Sequence, residues 1–127
     1  MPANIKIIHA HDFIKATPEG HFDLEESKKL LLEVALASAP LADYNIILDT
    51  RKMQSEMSNA DLWYLAEELS KNFHKTFSRT PKTAILCPVD KFDHAGFFAL
   101  CAQNRGCQVA AFTSVEAAYE WLLAIEG

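Results

Sequence analysis

Glycine is scarce in this sequence, 4 in 127 residues, and none of them falls in a G-x-G-x-x-G, Walker or G-x-S-x-G arrangement. The backbone cradles that carry phosphates or a sharply exposed nucleophile in α/β enzymes are therefore missing. Cysteine is scarce too. Cys87, Cys101 and Cys107 are odd in number and include no C-x-x-C pair, which argues against a disulfide framework and for a reducing, cytoplasmic setting. The start, "MPANIKIIHAHDF", lacks the basic and apolar regions of a secretory leader. No apolar run approaches the roughly 18 residues that cross a bilayer, since "LLLEVALA" is broken by Glu33, so no integral membrane segment is expected. Positive charge is in deficit as well, 12 Lys+Arg against 17 Asp+Glu for a net charge of -5, with the basic residues scattered, which disfavours a nucleic-acid partner. The 5 histidines form no H-x-x-x-H or H-x-C pattern, and only the alternating His9 and His11 approach a metal pair, against a plain surface-strand reading. No metal and no cofactor is expected.

What is present is ordinary globular material, 50% hydrophobic and 23% charged, of a length suited to one domain spanning 1–127. Ile5, Ile7 and Ile8 and then Phe13 to Thr17 predict two strands in a tight antiparallel hairpin. Asp23, with Glu26 three residues on, predicts the capped start of a helix that ends at Pro40, with Leu24, Ser27, Leu31, Val34, Ala35 and Ser38 on one face. Leu30, Leu32 and Leu36 widen that apolar surface. "YNIIL" (44–48) and "KTAILC" (82–87) read as buried strands, and "QVAAFT" as a last one. Ser58 and Asp61 open a helix with Leu62, Leu65, Ala66, Leu69 and Phe73 at helical spacing. Asp90 is placed to cap the next helix, which stops at Gly106, and Ser114 opens the last. The order β-β-α-β-α-β-α-β-α predicts an α/β fold with a mostly parallel central sheet and an N-terminal antiparallel hairpin.

Ligand sites in such sheets lie beyond the carboxyl ends of the parallel strands. Asp49 and Arg51 after the central strand can hold an anion or a partner's charge, or form only a strand-end cap and an ion pair. Cys87 ends a strand just before a helix, the best nucleophile position in the chain, with His94 or Asp90 as helper; the alternative is a small buried residue. Thr113 and Ser114 are explained by capping. The neighbouring pairs Glu25-Glu26 and Glu67-Glu68 are simplest as solvated faces. Trp63, Tyr64, Phe97, Phe98, Tyr119 and Trp121 offer more apolar helix surface than one sheet face needs, leaving a thick core, an apolar small ligand or self-association as a homodimer open.

Taken together, the element order, "PEGHFDLEESKKLL", the central "IILD" and the closing "VAAFTSVEAAYEWL", with Phe112, Ala118, Trp121 and Leu122 at its heart, resemble the SpoIIAA-like branch of the STAS (sulfate transporter and anti-sigma factor antagonist) superfamily. The resemblance covers nearly the whole chain and rests on hydrophobic patterns. It implies a non-enzymatic binding or regulatory module acting through a protein partner, with an apolar, lipid-type ligand as the second idea and a small Cys87-dependent enzyme as the third. The switch serine of that family, at the start of the helix after the central strand, corresponds to Ser58. There Met57 precedes it and Asn59-Ala60 follow, where the family reads roughly Asp-Ser-Ser/Thr-Gly. Phosphate at Ser58 would add charge at a helix N-terminus; the alternative is a plain cap.

Overall fold

The computed structural model of the chain describes residues 4–8, 12–41 and 43–124, so His9 and His11 lie outside the described residues. In chain order the first half forms β1 (Asn4–Ile8), β2 (Phe13–Thr17), β3 (Gly20–Phe22), α1 (Leu24–Ser38), β4 (Asn45–Asp49) and β5 (Met53–Ser55). The second half forms α2 (Asn59–Thr76), β6 (Thr83–Leu86), a short 3-10 turn (Val89–Lys91), α3 (Phe92–Gln103), β7 (Val109–Phe112) and α4 (Val115–Leu123).

The main sheet has the order β1-β2-β4-β6-β7, with β1 antiparallel to β2 and every other neighbour parallel. This is the α/β architecture expected from the alternation of strands and helices. Successive residues of a strand point to opposite faces, and the strands sort themselves accordingly. Ala16, Ile46, Leu48 and Ile85 join the apolar mass beneath α1, α2 and α3, whereas Phe13, Ile47 and Ala84 meet Ala118 and Leu122 of α4 on the other face. On the first face α2 packs against both α1 and α3.

Local chemistry explains most helix starts. Asp23 accepts from the Glu26 N–H at 2.8 Å, a contact worth about 1 kcal/mol. Ser58 and Asp61 form a reciprocal capping box at the head of α2, and Ser114 accepts from the Ala117 N–H at 3.1 Å. The face of α1 is buried at Ser27, Leu30, Leu31, Val34, Ala35 and Ser38, and its outer Leu32 and Leu36 are exposed.

Two features depart from expectation. Asp90 does not cap α3, because the chain leaves Pro88 in a 3-10 turn, closed by a Lys91 N–H to Pro88 O bond of 3.0 Å, and Asp90 falls inside that turn rather than ahead of the helix. The segment between β4 and α2, where no strand was expected, also holds one. Its Met53–Ser55 pairs parallel with Gly20–Phe22 as a separate two-stranded ribbon, joined at its edge by a Gly20 N–H to Lys52 O bond of 3.1 Å. Gly20 enters the ribbon at φ 95, a conformation that glycine reaches without a Cβ penalty.

Candidate functional site

Beyond the carboxyl ends of β4, β6 and β7 the loops are tied to one another. Thr50 bonds Leu86 O through both its N–H (2.8 Å) and its hydroxyl (3.0 Å), and the Cys87 N–H bonds Phe112 O at 2.9 Å. The loop after β4 therefore cannot move independently of the loop after β6.

Asp49 is buried at this end. Arg51 grips it as a fork, Nε to Oδ1 at 2.9 Å and a terminal nitrogen to Oδ2 at 2.8 Å, while the Arg51 N–H adds a third bond at 3.2 Å. Lys15 Nζ stands 3.8 Å from the same Oδ2. Burial alone would raise the Asp49 pKa, but the hydrogen bonds and charge of Arg51, helped by Lys15, hold it below its ordinary value of 3.8. A bidentate guanidinium–carboxylate pair satisfies both partners. Asp49 and Arg51 thus address each other, and neither lines the pocket beside them.

That pocket has a volume of about 110 Å³. The α1 side contributes Ser27, Leu30 and Leu31; the sheet contributes Leu48 and Ile85; α2 contributes Leu62 and Leu65; and α3 contributes Ala95 and Phe98. A further wall is the segment between β4 and α2, where Met53, Ser55 and Met57 line the pocket while Gln54 and Glu56 are exposed. The chain is extended here, so alternate side chains share a face. A period-two pattern in "MQSEM" was the signal available, and the surrounding polar residues obscured it.

Cys87 and Pro88 also line the pocket, as do the exposed Lys91 and His94 at its rim. The Cys87 thiol is buried and lies 3.5 Å from Phe112 O, its bonding partner. Burial, aided by the negative charge of Asp90, pushes this thiol up, away from the thiolate that nucleophilic chemistry uses. Asp90 is exposed and outside the wall, next to Lys91, which is in it. Ser58 is likewise exposed and engaged in its capping box, next to Met57, which is buried against the pocket.

One polar group in the wall stands out. Ser27 is 1% exposed, and its hydroxyl has no hydrogen-bond partner among the described residues. The buried Ser38 near the end of the same helix differs, since it donates to Val34 O at 2.7 Å. Thr83 also carries a buried hydroxyl without a partner, but it lies outside the pocket wall.

A second cleft, about 280 Å³, lies at the amino ends of the strands among Asp43, Asn45, Arg79, Thr80, Lys82 and Gln108. Its polar groups largely bind the protein itself. Lys82 Nζ donates to Trp121 O at 3.0 Å and Ala124 O at 3.1 Å, Asn45 bridges Leu122 O and the Lys82 N–H, and Gln108 donates to Thr80 O.

The aromatic residues divide in the same way. Phe13 packs on Tyr119 and Phe112 on Trp121 beneath α4, and Phe98 is buried. Trp63 and Tyr64 remain 42% and 51% exposed, with the Arg105 guanidinium 4.4 Å from the centre of the Trp63 ring. Among the described residues no helix is long and apolar enough to cross a membrane.

A mostly parallel sheet with an antiparallel leading strand, three helices on one face and α4 on the other, defines a SpoIIAA-like α/β fold. The chain is similar to the crystal structure of an uncharacterised protein of the DUF3478 family with a SpoIIAA-like fold from Shewanella loihica PV-4. The TM-score is 0.58 at 18% identity, with 95% of this chain and 92% of that one covered. No family model matches the sequence, and no curated protein does.

Proposed function

We propose that the protein is a non-enzymatic binding module whose site is the apolar pocket at the carboxyl end of the parallel strands, and that it takes a small molecule with a compact apolar group. The observation that carries this reading is the wall itself, in which the three helices of the first face, two strands and the loops after β4 and β6 turn leucine, isoleucine, methionine and phenylalanine side chains toward an open volume of about 110 Å³. Ligand sites are mostly apolar concavities with a few polar groups to set orientation. An apolar cavity of about 150 Å³ holds benzene, so this pocket, open on one side, suits a single small ring or a short branched chain. The buried Cys87 thiol, occupied with Phe112 O, supports binding without covalent chemistry.

Ser58 favours a regulatory role at the same end of the molecule. It is exposed, it heads α2, and its neighbour Met57 reaches the pocket, so a change at Ser58 would be felt in the wall. A protein partner that reads this end fits the resemblance to the SpoIIAA-like branch.

Native mass spectrometry tests the pocket. Ala95→Leu, which places a larger side chain in the wall from α3, is the control. Small apolar adducts on the native chain, retained from the host or acquired from a panel of aromatic and branched-chain compounds, should vanish in the variant. Spectra free of adducts in both proteins after that exposure would sink the reading.

A further inference from the structure

The pocket is apolar, but its few polar groups are not arranged at random. Ser27 is deep, buried and without a partner, whereas the comparable Ser38 turns back to a carbonyl of its own helix. A buried hydroxyl left unpaired is a cost to the folded chain that a bound molecule relieves when it supplies an acceptor. At the rim the only charged side chain in the wall is Lys91, which makes no ion pair among the described residues, and His94 stands on the same rim with a ring N–H to donate. No carboxylate lines the pocket, since Asp90 and Asp93 lie outside its wall. An unpaired donor inside and donors with positive charge outside describe the complement of a particular molecule.

Resting on the reading of the pocket as a ligand site, we propose that its ligand is a small amphipathic carboxylic acid. The apolar body fills the space among Leu30, Leu65, Met57 and Phe98, an acceptor oxygen on that body meets the Ser27 hydroxyl, and the carboxylate lies against Lys91 and His94 at the rim. Keto acids with a compact aryl or branched alkyl group belong to this class. The carboxylate gains a charge-assisted donor while remaining partly in water, and the keto oxygen satisfies a buried wall hydroxyl that the fold leaves idle.

The test is isothermal titration calorimetry on the full chain with β-benzoylpropionate, its amide, and γ-phenylbutyrate, which lacks the keto oxygen. The acid should bind about fivefold tighter than the amide, the size of an exposed charge pair near 1 kcal/mol. The keto acid should bind about fivefold tighter than γ-phenylbutyrate, the size of one hydrogen bond. Lys91→Met should erase the first preference and leave the second, and Ser27→Ala should do the reverse. Binding of all three compounds with either preference absent from the native chain would overturn this inference and leave the pocket reading standing. Failure of all three to bind would overturn both.

Discussion

The two ends of the parallel sheet are built to opposite plans. At the amino ends lies the larger and more polar cleft, yet its Lys82 and Asn45 are spent on mooring the end of α4 and its Gln108 on Thr80 O, while its Asp43 and Arg79 are exposed. At the carboxyl ends the cleft is smaller and apolar, and a buried hydroxyl in its wall is idle. Size and polarity are therefore not what the proposed site is read from. On the proposed reading, what separates the binding pocket from the structural joint is whether its buried polar groups already have partners.

The contrast is broken most strongly from the amino end. Asn45→Ala removes both bridging bonds and leaves Leu122 O and the Lys82 N–H unsatisfied, so chemical denaturation should show a loss of about 3 kcal/mol, with ligand affinity at the far pocket unchanged. Met57→Ala, at the carboxyl end, should lose about 2 kcal/mol, the low end for a buried methionine because one side faces open volume, and here ligand affinity should fall too. Ser27→Ala should go the other way. Removing an unpaired buried hydroxyl should leave the empty protein as stable or raise it by up to about 1 kcal/mol, a sign that a serine needed for folding would not give.

Acid titration sharpens the comparison by isolating the ion pair beside the pocket. Because Asp49 is held below 3.8 in the folded state, its pairing with Arg51 and Lys15 contributes fully at neutral pH, fades as the pH falls through 3.8 and is gone below the folded value. The stability difference between the native chain and Asp49→Asn should therefore be widest near neutrality and shrink in acid. Smallest of all is Lys52→Ala. Its contact with Glu19 is 3.5 Å long and well exposed, and Tm should report a change within about 0.5 kcal/mol.

How much of this was legible in advance depends on how local each signal is. The Ser58–Asp61 box and the Ser114 cap need only a few consecutive residues and were readable, as were the buried stripe of α1 and the strands of the main sheet. Met53–Ser55 was not, because a strand of three residues has little intrinsic preference and is held by a partner, Gly20–Phe22, some thirty residues away. Asp90 looked like a cap because an acidic residue after proline precedes a helical pattern, and the intervening 3-10 turn displaced it. Of the three loops that sequence reasoning singled out, the one with Thr113 and Ser114 does not line the pocket, and those after β4 and β6 meet at it. Within them Cys87 is in the wall, whereas Ser58 and Asp90 lie one position from Met57 and Lys91, which are. Ser27 was legible as a buried helix position but not as an unpaired one, since whether a hydroxyl finds a partner is a property of packing.

The most direct test of the central claim uses the methionines as reporters. With the methionine methyl groups labelled in carbon-13, benzene titrated into the protein should give saturable NMR shifts at Met53 and Met57, and backbone amides at Asn45, Lys82 and Gln108 should stay where they are. Unmoved Met53 and Met57 signals, or shifts of equal size at both ends of the sheet, would contradict the account.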